Sequence, residues 1–151
     1  MAITREPATS AGPAPRRAGA RRRRLERALV ALEALVSVSG LGGGAYLMAR
    51  PTTAMPMRLL AGTGFASWRL PGVALFVLVG VAPGIVAVAA TRGLRAARVG
   101  HLLVGAGLVA WIVVEMLWVV VTWPLQIAYA SMGVAIVVLA LLDRRCGGGA
   151  R

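Results

Sequence analysis

Two carboxyl groups lie inside stretches that are otherwise nearly all hydrocarbon: Glu33 in ALVALEALVSVSGLGGGAYLM and Glu115 in HLLVGAGLVAWIVVEMLWVVVT. In such surroundings an acid either exchanges protons or binds a ligand, or it donates a hydrogen bond that fixes packing. An ionised side chain at the centre of a bilayer costs at least about 2.5 to 3.5 kcal/mol, so both acids are expected to face protein or a water cavity rather than lipid. Trp111, Glu115, Trp118 and Thr122 follow one another at offsets of 4, 3 and 4, which puts them on one helix stripe. Glu115 precedes Thr122 by seven positions, roughly 10 Å along a helix. At that depth the expected form is a protonated carboxyl that donates a hydrogen bond. Returning through a tight hairpin, Tyr129 and Ser131 regain the same depth and are candidate partners, while Gln126 lies nearer the surface. Arg69 is the nearest plausible charge. The reading preferred for Glu115, Tyr129, Ser131, Gln126 and Arg69 is a hydrogen-bonded cluster that holds helices; a proton or ligand site is the alternative.

Glu33, five residues into its apolar stretch and near Arg27, reads as an interfacial acid relieved by snorkelling or an ion pair. It is the second candidate for proton chemistry. His101, the single histidine, opens its apolar run and is assigned to the interface. It has no Cys, Asp or Glu at ligand spacing, so no metal site is expected, and haem ligation lacks a second histidine. Cys146 is the single cysteine, which leaves no disulfide or paired thiol. No nucleophile elbow, phosphate-binding loop or zinc signature is present. These features point to no catalysis and no cofactor.

The elements that must position these acids are transmembrane helices. Apolar residues make up 58% of the 151, well above the usage of soluble domains, and all 17 basic residues are arginines placed almost entirely outside four apolar stretches. The stretches cover about 28–48, 72–91, 101–122 and 125–142, each close to the roughly 20 residues that cross a hydrocarbon core. An all-α, four-transmembrane-helix bundle follows. Glu33 interrupts the first run and no small-residue cleavage site precedes a soluble domain, so that run is expected to be an anchor rather than a signal peptide.

Pro83 removes a backbone donor and should bend the second helix, whereas Pro124 falls in a first turn that tolerates it. Small residues that permit close approach occur on every span: Gly40 and Gly44, Gly80 and Gly84, Gly105 with Ala106 and Ala110, Ala130 and Gly133. Packing within one bundle is the preferred reading, and a homo-oligomer seam is the alternative. The external loop 49–71 interleaves Arg58, Phe65, Trp68 and Arg69, which suits an interfacial half-helix, and Gly62, Thr63 and Gly64 mark a turn. Residues 1–25 read as a disordered Arg-rich tail and 143–151 as a flexible one. RRAGARRRR beside a membrane span is read as an orientation signal attracted to anionic lipid headgroups, not as a nucleic-acid site.

LLAGTGFASWRLPG before the second span, WIVVE in the third and WPLQIAYASMGVAIVVLALL at the end resemble a group of small four-helix bacterial membrane proteins with no established activity. The resemblance covers about 30–142. In that group the loop tends towards a TPF-type motif before PG and the position of Glu115 towards glutamine, which implies a structural role because an amide exchanges no proton. A looser architectural likeness to DoxX-like proteins transfers no residue roles. Small multidrug transporters share four short helices and a first-helix acid, but their dual-topology members need a weak charge bias.

Three functions suit such a chain: a non-catalytic structural or accessory component, which is preferred; a small solute or proton-coupled transporter using Glu115 or Glu33; and a lipid-modifying enzyme, which lacks its nucleophile or metal. Positive charge marks the cytoplasmic flanks. Arg5, Arg16, Arg17, Arg21 to Arg24, Arg27, Arg92, Arg95, Arg98, Arg144, Arg145 and Arg151 then lie inside, against Arg50, Arg58 and Arg69 outside. Both termini are expected in the cytoplasm of a bacterial cell, with the chain in the plasma membrane. A C-terminal reporter enzyme active only beyond the cytoplasm should therefore be silent; activity would overturn the topology.

Overall fold

A computed structural model describes residues 14–118 and 124–148. Four long apolar helices form an all-α bundle: α1 (Ala14–Ala49), α2 (Arg69–Thr91), α3 (Ala97–Trp118) and α4 (Pro124–Gly148). The first begins well before its apolar stretch, because alanine, arginine, leucine and glutamate sustain a helix and Pro15 occupies the first turn, where its missing N–H costs nothing. Residues 1–13 and 149–151, part of the two expected tails, lie outside the described residues, as do Thr122 and Trp123 of the expected hairpin turn.

Each helix packs on its neighbours in chain order, and α1 closes the ring against α4. Consequently α1 and α3 stand on one diagonal and α2 and α4 on the other, as in an up-down-up-down bundle. One end carries the arginines of α1 together with the α2–α3 turn and the end of α4. The other, the loop end, carries residues 50–68. The α2–α3 turn is a Schellman motif: Leu94 N–H donates to Ala89 O at 3.0 Å and Gly93 N–H to Ala90 O at 2.9 Å, with Gly93 at φ +68°.

Between helices in lipid there is no hydrophobic driving force, so contact depends on close fit. Gly40 and Gly44 of α1 lie against the backbone of Val79 and Gly80 and against Phe76, and Gly80 lies against Leu41. Gly105 of α3 and Gly133 of α4 face each other. The glycine faces are thus used inside the chain. Across the α1–α2 contact Ser37 Oγ donates to Gly80 O at 2.7 Å. Residues 75–81 of α2 are π-helical, so the hydrogen-bond ladder changes register just before Ala82 and Pro83, where the proline's missing N–H also interrupts it.

Burial is inverted relative to a soluble protein. Leu103, Leu117, Ile85 and Val38 point outward, whereas Glu33, Ser37, His101 and Gln126 are buried. An apolar belt around a partly polar interior is what lipid as solvent requires. At the loop end Trp68, expected among interfacial aromatics, is buried: its N–H donates to Pro51 O at 2.8 Å and its Nε1–H to Met55 O at 3.2 Å. A short 3-10 helix, Met57–Leu60, and the turn through Gly62 and Gly64, both at positive φ, complete the loop.

A Cβ at position 40 would come within 2.5 Å of the Val79 carbonyl carbon, whereas one at position 42 meets nothing within 4 Å. Gly40→Ala is expected to destabilise the bundle by about 1 to 3 kcal/mol through forced separation of α1 and α2. Gly42→Ala should be neutral or stabilising by up to about 1 kcal/mol. Unfolding in mixed micelles followed by circular dichroism distinguishes them, and equal effects would contradict this packing.

Candidate functional site

Glu33 lies on the inner stripe of α1 formed by Leu29, Glu33, Val36 and Gly40. On α3 the inner stripe runs Ala97, His101, Gly105, Leu108 and Ile112, with half-buried Glu115 one turn further. Both stripes keep the spacing of three or four that marks one helix face. Because α1 and α3 run in the same direction, Glu33 and His101 enter the bundle from the same end.

They meet. His101 Nδ1 is 2.7 Å from Glu33 Oε1, joining residues 68 positions apart. The proton lies in this bond whichever atom carries it, and the pair is an ion pair when the imidazole is charged. Glu33 is 0% exposed and His101 5%. Neighbouring helix axes are about 8 to 10 Å apart and diagonal ones farther, so only two long side chains reach across this axis.

This departs from the interfacial roles expected of both residues. Arg27, the expected neighbour of Glu33, is exposed and sits six positions away on another face. Position 33 cannot snorkel because α1 is packed against both α2 and α4. His101 starts its apolar run in sequence, but α3 begins at Ala97 and the Arg-rich ends of α1 and α4 extend past it. The signal available in the sequence was the stripe at 97, 101, 105, 108 and 112 and the one at 29, 33, 36 and 40, which place both residues inside the bundle without pairing them.

His101 also forms part of the wall of a polar crevice of about 110 Å³ at the arginine-rich end, with Arg22, Glu26, Arg95, Arg98 and Asp143 around it. Arg22 Nε and Asp143 Oδ1 are 3.5 Å apart, and Arg144 Nη2–H donates to Arg98 O at 3.1 Å. The imidazole therefore stands between the enclosed carboxyl and the crevice. Glu33 Oε2 has no hydrogen-bond partner among the described residues. A carboxyl with one satisfied oxygen and one unsatisfied is costly in an apolar interior, which makes His101 its essential partner.

Of the polar residues expected around Glu115, Gln126 is the one that meets it. Glu115 and Gln126 share a side-chain hydrogen bond, and Gln126 is buried. Tyr129 packs on the apolar core, Ser131 Oγ donates to Ala128 O of its own helix at 2.8 Å, and Arg69 is exposed. The side chain of Trp118 lies outside the described residues. Glu115 also contributes to a groove of about 440 Å³ beneath the loop, walled by Phe65, Trp68, Pro71 and Trp111. Among the described residues no three His, Cys, Asp or Glu side chains group as a metal site. No family model, curated protein or solved structure matches the chain.

Breaking a buried pair by removing one partner is far more costly than replacing both with apolar groups. His101→Leu, which orphans Glu33, is expected to cost about 3 kcal/mol. The double variant Glu33→Leu with His101→Leu should recover most of that loss. A double-mutant cycle in micelles checks this; additive losses would mean that the two residues do not support each other.

Proposed function

We propose that this chain is a non-catalytic structural or accessory component of a bacterial plasma membrane, crossing it four times with both termini inside and its arginines against anionic headgroups. The observation that carries this reading is the use of Glu33 and His101 on each other, across the bundle diagonal, at full enclosure. The crevice beside the pair, about 110 Å³, is smaller than the roughly 300 Å³ and upward of ordinary ligand pockets. Supporting it, the glycine faces and Ser37 all serve helix packing within the chain. The second reading is a proton-coupled carrier, favoured by the place of the His101 ring between Glu33 and the crevice.

Proteoliposomes with a trapped pH-sensitive dye separate the two. Under an imposed potential the accessory reading expects proton entry no faster than in protein-free vesicles, for the native chain and for Glu33→Gln alike. Flux above that baseline that disappears in Glu33→Gln would establish the carrier instead.

A further inference from the structure

The groove at the loop end is separate from the Glu33–His101 pair and has a different chemistry. Its wall brings together three aromatic rings, Phe65, Trp68 and Trp111, and a single carboxyl, Glu115. The loop side is held by named bonds: Trp68 to Pro51 and Met55, Thr63 Oγ1–H to Leu60 O at 2.7 Å, and Phe65 N–H to Thr63 Oγ1 at 3.3 Å. At about 440 Å³ it has the size of a pocket for a small organic molecule.

Aromatic faces carry negative potential and attract cations, above all those that are poorly hydrated and easily desolvated. A carboxylate accepts several hydrogen bonds or contacts, so its bond to Gln126 leaves capacity for a ligand charge. Arg58 and Arg69 are exposed and are not part of the groove wall. We propose that this groove binds a lipophilic organic cation, an onium ion whose apolar arms lie against the rings and whose charge is met by Glu115. An acyl chain would be satisfied by the rings alone and would have no use for the acid.

The test compares two ions of the same shape and opposite charge, tetraphenylphosphonium and tetraphenylborate, titrated calorimetrically into the full chain in neutral micelles. The formal net charge of +12 attracts the borate non-specifically, so the informative quantity is the ratio of the two affinities and its change on mutation. Glu115→Gln keeps a partner for Gln126 and should lower the phosphonium-to-borate ratio roughly tenfold. Asp143→Asn removes the same charge at the opposite end and should leave the ratio unchanged. Phe65→Leu, in the loop, should weaken phosphonium several-fold more than borate. An unchanged ratio in Glu115→Gln, or an equal fall in Asp143→Asn, overturns the proposal and leaves an apolar lipid groove. If Glu115→Gln does not fold, an unchanged ratio in Phe65→Leu overturns it.

Discussion

The bond between Glu33 and His101 is the constraint on which the arrangement of the helices turns. It joins α1 to α3, the two helices of one diagonal, whose backbones scarcely approach each other. Among the described residues the close backbone contacts are between adjacent helices, which set each helix's rotation and depth against its own neighbours. A polar bond along the axis specifies both, because turning either helix takes a carboxyl or an imidazole into hydrocarbon. In a solvent that provides no apolar driving force between helices, directional bonds and close fit share the work that burial does in a soluble core.

Close fit is supplied by small residues distributed so that the two adjacent pairs are made differently. The α1–α2 contact sets Gly40 and Gly44 against backbone and adds the Ser37 hydroxyl on the Gly80 carbonyl. The α3–α4 contact places Gly105 and Gly133 face to face and adds the Glu115–Gln126 bond near the loop end. Each pair thus combines a glycine approach with one buried polar bond, and the axial pair ties the two halves together. The polar groups divide between the ends: the arginine-rich end has a small polar crevice, whereas the loop end has an aromatic groove with one acid.

That division separates the two acids chemically. Glu33 is enclosed and committed to a single partner across the bundle, which suits a packing role. Glu115, half-buried in a larger groove, has both a helix partner and an open side. Distance from the membrane surface and enclosure by protein are separate quantities: Glu33, nearer the end of its span, is the more enclosed of the two acids. Enclosure depends on which neighbours surround a position, not on how far along the helix it lies.

Helix number, approximate spans and the need for acids to face inward were legible in the residues themselves, because hydrocarbon thickness sets span length and desolvation penalises charge on the lipid face. The glycine spacings likewise announced close approach. The turn at Gly62 and Gly64 was readable from chain conformation alone. What the sequence did not determine was pairing. A stripe on one helix states which way a side chain faces, but not which helix it faces or at what height, since those depend on the rotation and register of four rods at once. Only the tertiary structure set His101 opposite Glu33, gave Glu115 to Gln126 rather than Tyr129 or Ser131, and buried Trp68 beneath its own loop. Each of these is a contact between distant residues, and such contacts follow from the joint packing of all four helices.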